Sequence, residues 1–126
     1  MFWRKKKQKQ PPNGDNQVIF IEKAGACICT WSVLRGETPL KWCVRGESVH
    51  PADTGWVFLG ASDAEEYINI VSNSAVVDFN TVANIEPAVL ALYNMPAGTD
   101  LRLEKYADNS LHFFNTNTGE EVEAFV

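Results

Sequence analysis

The clearest hydrophobic pattern along the chain is the unbroken apolar run Trp56-Val57-Phe58-Leu59, which Gly55 and Gly60 bound. An aromatic and β-branched run of this length predicts a strand that is buried on both faces. Earlier in the chain, apolar and polar positions alternate over residues 25–34 and again over residues 40–45. The turn residues between these two segments predict that they pair as an antiparallel hairpin.

Strand alternation assigns the side chains of the predicted hairpin to two faces. In its first strand, one face is expected to carry Cys27, Cys29, Trp31 and Val33. In its second strand, Leu40, Trp42 and Val44 are expected to point inward, and Lys41, Cys43 and Arg45 outward. Cys43 would then have an exposed thiol with cationic neighbours, which is typical of a mildly reactive cysteine. The same assignment separates Cys43 from the other two cysteines, so it does not favour a shared zinc site.

A helix is predicted directly after the Trp56 to Leu59 strand. Ser62 and Glu65 have the spacing of a capping box, so this helix is expected from residue 63 to about residue 71. Its buried side is expected to consist of Ala64, Tyr67, Ile68 and Val71. A short apolar strand is predicted next, over residues 75–79.

The rest of the chain predicts a second helix and then three strands. Asn80 or Thr81 can cap the segment that follows the short strand. The second helix is expected to begin at Pro87, because proline suits the first turn of a helix. Alternating segments at residues 99–106, 111–114 and 122–126 predict the strands. The fold class is therefore α+β, with a mainly antiparallel sheet, two helices in the middle of the chain and a C-terminal β-meander.

Charge is distributed unevenly along the chain. Five of the eleven basic residues lie within the first ten residues, whereas all sixteen acidic residues come later. Residues 11–126 therefore carry six cations against sixteen acids, a net charge of −10. A body of that charge repels nucleic acid and would attract a cationic protein surface, although the same charge could serve only to keep the protein soluble.

The composition predicts two regions, with residues 1–16 as a basic flexible tail and residues 17–126 as a single α+β domain. Polar residues and two prolines follow the basic cluster where an exported protein would have an apolar segment. We therefore expect a cytoplasmic protein with reduced cysteines. Membrane contact is expected only through residues 1–9, which could sit at an anionic surface and make the protein a peripheral adaptor module.

Two motifs suggest chemistry, and each has a simpler structural interpretation. Asp53-Thr54-Gly55 is the tripeptide of aspartic proteases, but Trp56 follows it where a small residue is expected, so an ordered turn is favoured. Asp53, His50 and Glu66 could hold a divalent cation and support a metal-assisted hydrolase. The acids after the central strand are, however, favoured at the start of a helix by its dipole. The sequence therefore assigns no catalytic residue, metal ligand or cofactor.

Four segments between residues 45 and 87 stand in a recognisable order, and the likeness that they carry extends over about residues 25–106. They are Arg45-Gly46-Glu47, Asp53-Thr54-Gly55-Trp56-Val57-Phe58-Leu59-Gly60, Glu66-Tyr67 and Thr81-Val82-Ala83-Asn84-Ile85-Glu86-Pro87. Together they resemble immunity protein family thirty-three, formerly a domain of unknown function, although Gly46, Thr54 and Glu86 depart from its usual residues. The resemblance implies a small cytoplasmic protein that neutralises a toxin of a bacterial polymorphic toxin system. It implies binding and no reaction.

The acidic body and the resemblance lead to one hypothesis, an immunity-type protein that occludes the active surface of a cognate toxin whose own surface is cationic. The residues expected to bind this partner are Arg45, Glu47, Asp53, Asp63, Glu65 and Glu66. The metal-assisted hydrolase and the membrane adaptor are the alternatives.

Overall fold

The structure, a computed structural model, describes residues 17–48 and 50–123. The strands in these residues are β1 (Ala26–Thr30), β2 (Leu40–Arg45), β3 (Asp53–Gly60), β4 (Ser74–Asp78), β5 (Asp100–Lys105), β6 (Leu111–Asn115) and β7 (Glu121–Val122). The helices are α1 (Trp31–Leu34), α2 (Glu65–Ile68) and α3 (Phe79–Ile85), with two 3₁₀ helices at Val71–Asn73 and Pro87–Leu92. All the described strands belong to one sheet, in the order β4-β1-β3-β2-β5-β6-β7.

The predicted α+β class is confirmed, and the sheet is mixed. β1 and β3 run parallel, whereas every other pair of neighbouring strands is antiparallel. β5, β6 and β7 are consecutive neighbours, so the predicted meander is confirmed as far as Val122. The end of its predicted last strand and the predicted tail over residues 1–16 lie outside the described residues.

The predicted hairpin of the first two strands is wrong, because β3 lies between β1 and β2. α1 follows β1 directly and separates it from the start of β2. Strands two places apart in a sheet are about 10 Å apart, which a tight hairpin turn cannot span but a helical turn can. β3 is an interior strand of the sheet, and its Trp56 and Phe58 are 1% and 0% exposed.

The helices cover one face of the sheet. Their fully buried apolar residues are Phe79, Val82, Ala83, Val89 and Leu92. Phe58 of β3 meets Phe79 of α3 edge to face, with ring centroids 5.8 Å apart. Val57 and Leu59 point to the other face of the sheet and are only half-buried. The prediction that this strand is buried on both faces is therefore wrong.

The predicted face of Cys43 is also wrong. β2 pairs with β3 through an irregularity at the start of β2, and beyond it Cys43 lies opposite Phe58 on the helix-covered face. Trp42 and Val44 consequently point away from the helices, the reverse of the prediction. All three cysteines are free and buried. Burial raises the pKa of the Cys29 thiol to about 12 and that of the Cys43 thiol above its usual range, so an exposed, mildly reactive thiol is excluded.

The first predicted helix is much shorter than expected. α2 begins after Ala64, which has no side-chain oxygen to cap it, and the Ser62 hydroxyl instead accepts a hydrogen bond from the Thr38 hydroxyl at 3.1 Å. Val71, which the pattern predicts to be buried, is 89% exposed in the following 3₁₀ helix. The capping box and the buried stripe are therefore both wrong.

The second predicted helix is confirmed in position, but it is a 3₁₀ helix, Pro87–Leu92, with Glu86 as its N-cap. α3 precedes it, and the sequence pattern does not predict α3. The Asp78 carboxylate caps α3 by accepting a hydrogen bond from the Asn80 N–H at 2.8 Å. The prediction that Asn80 or Thr81 caps this segment is wrong, because both residues are buried inside α3.

Candidate functional site

The structure separates the six residues expected to bind a partner into two groups. Arg45, Glu47 and Asp53 lie near the start of β3, whereas Asp63, Glu65 and Glu66 follow its end. β3 has eight residues, and a strand rises about 3.3 Å per residue, so the groups are roughly 20 Å apart. A hydrolase that needs Asp53 and Glu66 at one cation is not supported by this placement. Within the described residues, no group of three His, Cys, Asp or Glu side chains could hold a metal ion.

Arg45 uses its guanidinium inside the protein. Its Nε donates to the Thr54 carbonyl at 2.8 Å, and its Nη1 donates to the carbonyls of Tyr93 and Met95 at 3.2 and 2.6 Å. The guanidinium also lies 5.8 Å from the centroid of the Trp56 ring. These contacts tie β2 and β3 to the end of the 3₁₀ helix, so the side chain has little capacity left for a partner.

Asp63 is likewise occupied by internal donors. Its carboxylate accepts hydrogen bonds from the hydroxyls of Thr30 and Ser32 at 2.7 and 2.5 Å, and from the Gly60 N–H at 2.6 Å. Thr30 and Gly60 end the parallel strands β1 and β3, so Asp63 locks the two carboxyl ends together. A Cβ atom at Gly60 would clash with the Thr38 side chain, which explains the glycine at this junction.

Four of the predicted residues are exposed, namely Glu47, Asp53, Glu65 and Glu66. Asp53 Oδ1 accepts the Gly55 N–H at 2.9 Å, so the carboxylate also orders the start of β3, as its sequence context predicts. Gly55 has a φ of +83°, and a Cβ atom there would clash with the Gly46 carbonyl oxygen. Asp53 therefore sits on a rigid turn with its second carboxylate oxygen available.

The side of the sheet opposite the helices, which we call the open face, carries two rows of side chains in cross-strand register. The first row consists of Val76, Ile28, Val57, Val44 and Asp100, on β4, β1, β3, β2 and β5. The second row consists of Leu59, Trp42, Arg102, Phe114 and Glu121, on β3, β2, β5, β6 and β7. Val76 is 73% exposed and Ile28 is 40% exposed. None of the apolar residues in these rows packs against the helix-covered core.

Charged side chains lie over aromatic rings in the second row. Glu104 accepts hydrogen bonds from Lys41 Nζ at 3.3 Å and from Arg102 Nε at 2.9 Å. These bonds hold the pKa of Glu104 below its usual value, and the bond from Lys41 has the larger effect. The Lys41 ammonium lies 5.5 Å from the Trp42 ring centroid, and the Arg102 guanidinium 4.9 Å from that of Phe114. The contacts order long side chains in advance, which reduces the entropy lost when a partner binds.

Sequence reasoning missed the open face because it placed Trp42, Val44, Val57 and Leu59 in the core. The available signal was that both sides of β3 are apolar, which suits either a fully buried strand or a strand with one binding face. The pattern does not distinguish the two, because coverage depends on helices elsewhere in the chain.

The fold and the site define a small α+β domain in which helices pack one face of a mixed sheet and leave the other face open. The sequence model of one protein family, described as Immunity protein Imm33 domain, matches residues 27–112. This match covers more than half of the chain, so the chain belongs to that family, and the resemblance read from the sequence is confirmed. No curated protein and no solved structure matches the chain.

The family places the protein among the immunity proteins, the class that neutralises toxins. The matched residues contain both rows of the open face except Phe114 and Glu121. No helix in the described part of the chain is long and apolar enough to cross a membrane.

Proposed function

We propose that the protein neutralises a cognate toxin by binding it stoichiometrically through the open face. The observation that carries this proposal is the uncovered apolar row of Val76, Ile28, Val57 and Val44. Continuous apolar patches are uncommon on soluble monomers and mark interaction sites when they occur. In a member of an immunity protein family, a toxin is the partner that such a patch would bind.

The second row has the composition of an interface centre. Trp42, Phe114 and Arg102 are residue types that contribute most to binding when a partner desolvates them. Each is half-buried, and Glu104 holds the cations in place. We expect these side chains to act as rigid anchors around the apolar row.

Charge favours a cationic toxin surface. The chain beyond its first ten residues carries a net charge of −10, and Glu47, Asp53, Glu65 and Glu66 are exposed. Charge complementarity of this kind accelerates encounter, whereas buried apolar contacts lengthen the lifetime of the complex. We therefore assign the exposed acids to steering and the open face to contact.

A matched pair of lysine substitutions tests the location of the interface. Val76 lies in the first row of the open face and Val71 lies outside it, and both valines are largely exposed, at 73% and 89%. Val76→Lys and Val71→Lys change the net charge equally, so only position distinguishes them. Binding to a candidate toxin domain, taken from the reading frame next to that of this protein, is measured by titration calorimetry, and neutralisation by growth rescue during coexpression.

We expect Val76→Lys to weaken toxin binding at least about tenfold and to impair rescue, because an ammonium group would be desolvated in the interface. Val71→Lys should stay within about twofold of the unchanged protein. Equal effects of the two variants would contradict the open face as the interface. Absence of any binding to this candidate domain would contradict it as the toxin partner.

A further inference from the structure

The open face ends in a small cavity, and Asp53 is the only one of the six residues expected to bind a partner that lines it. The cavity has a volume of about 260 Å³ and lies at the end of the first row. Its lining includes Ala26, Ile28, His50, Ala52, Asp53 and Val76. Small-molecule pockets usually span about 300–1,000 Å³. A cavity of this size is suited to one side chain of a partner.

Asp53 lines this cavity, and a second carboxylate, Asp78, lies beside it in cross-strand register. Ala26 pairs with Asp53 of β3 on one side and with Asp78 of β4 on the other. Thr54 follows Asp53 and Val77 precedes Asp78, and both of these neighbours are buried. Because successive residues of a strand point to opposite faces, both aspartates lie on the open face. Both aspartates are exposed, and neither forms an ion pair with a cation in the described part of the chain.

Each aspartate uses one oxygen internally and leaves the other available. Asp53 Oδ1 accepts the Gly55 N–H at 2.9 Å, and Asp78 Oδ1 accepts the Asn80 N–H at 2.8 Å. His50 also lines the cavity, and its Nδ1 accepts the Ala52 N–H at 3.1 Å. The potential at the cavity is therefore negative.

The buried thiol beneath the cavity supports this conclusion. The pKa of Cys27 is raised first by burial, then by Cys29, and further by the negative charges of Asp78 and Asp53. Both carboxylates therefore lie close enough to Cys27 to disfavour its thiolate, and Cys27 also helps to line the cavity.

We propose that this cavity receives an arginine side chain from the surface of the toxin. The aliphatic part would pack along Ile28 and Val76, and the guanidinium would bridge Asp53 and Asp78. A planar guanidinium suits two separated carboxylates better than a compact ammonium does. This inference rests on the proposed function, because it names the group of the toxin that the open face recognises.

Asparagine substitutions can remove the charge and keep the fold. Asparagine retains the side-chain oxygen that accepts the Gly55 N–H at position 53 and the helix-capping N–H at position 78. Asp108→Asn is the matched control, because Asp108 Oδ1 similarly accepts the Ser110 N–H at 3.0 Å, but in the turn between β5 and β6. Each of the three substitutions removes one negative charge, so the double variant loses two charges and the control loses one.

The first experiment needs no toxin. The full chain is titrated at low salt with the peptide acetyl-Gly-Arg-Gly-amide, and binding is followed by proton–nitrogen NMR. We expect saturable shifts in the backbone signals of Ala26, Ile28 and Val76 that disappear in the Asp53→Asn/Asp78→Asn double variant and persist in Asp108→Asn. The same peptide with neutral citrulline should cause no such shifts. Shifts that survive the double variant, or that spread equally to Glu65 and Glu66, would overturn the cavity proposal.

The second experiment uses the toxin. We expect the double variant to bind it roughly ten to a hundred times more weakly, and Asp108→Asn to bind it normally. Normal binding by the double variant, together with loss of binding by Val76→Lys, would overturn the cavity proposal and leave the proposed function intact. Peptide binding at the cavity without toxin binding would instead support the cavity chemistry and overturn the toxin as partner.

Discussion

At the residue scale, the same kind of side chain has different roles depending on its donors. Asp63 and Glu66 are both acids in the segment after β3, and the sequence assigns both to partner binding. Asp63 is half-buried and accepts three internal hydrogen bonds, whereas Glu66 is exposed at the start of α2. A carboxylate that satisfies buried donors stabilises the fold, and an exposed one is available for long-range attraction.

The first prediction compares these two acids. Asp63→Ala should lower the free energy of unfolding by about 2–4 kcal/mol, because it leaves the buried hydroxyls of Thr30 and Ser32 without their acceptor. Glu66→Ala should change it by less than about 0.5 kcal/mol. Urea denaturation of both variants measures the difference. Unchanged stability of Asp63→Ala combined with weaker toxin binding would mean that Asp63 is a contact residue after all.

At the element scale, short helices derive their positions from single caps and from the core beneath them. α3 has seven residues, five of which are buried, and Asp78 at its start accepts the N–H and the side-chain amide of Asn80. Asn80 in turn binds the backbone of Phe20 and Ile21. The cap therefore joins β4, α3 and the segment before β1 at one point.

The second prediction concerns this cap. Asp78→Ala should lower the free energy of unfolding by about 1–2 kcal/mol, whereas Asp78→Asn should leave it nearly unchanged, because asparagine caps helices as well as aspartate does. Thermal and urea unfolding, followed by circular dichroism, measure both variants. If asparagine destabilised the protein as much as alanine, the carboxylate charge rather than the cap would be the stabilising feature.

At the scale of the whole molecule, the distribution of charge should determine how fast a partner arrives. The complete chain has a net charge of −5, and residues 11–126 alone have −10. Salt at physiological concentration screens exposed charges beyond about 8 Å, whereas apolar contacts persist. Association should therefore depend on salt much more than dissociation does.

The third prediction follows from this charge. Raising sodium chloride from about 50 to about 500 mM should slow association with the toxin roughly tenfold and change dissociation by less than about twofold. A chain without residues 1–10 should associate faster, because it loses five cations. Stopped-flow fluorescence measures both effects. Faster association at high salt would mean that the toxin surface is not cationic.

The pattern of residues determined the local features of this protein. The run from Trp56 to Leu59 predicted β3, the alternation near the end predicted β5 and β6, and the distinctive segments indicated the family. These features depend on residues that are close in sequence, so periodicity and motif spacing are sufficient to detect them. The fold class followed from the order of the segments.

The tertiary structure alone decided which strands are neighbours and which face is covered. Placement of β3 between β1 and β2 is a long-range pairing, and a small irregularity at the start of β2 reverses the faces of Cys43 and Trp42. The alternation of a strand shows which side chains share a face of the sheet, but helices far along the chain determine which face is buried. For this reason the buried thiols, the internal role of Asp63 and the open face could be recognised only in three dimensions.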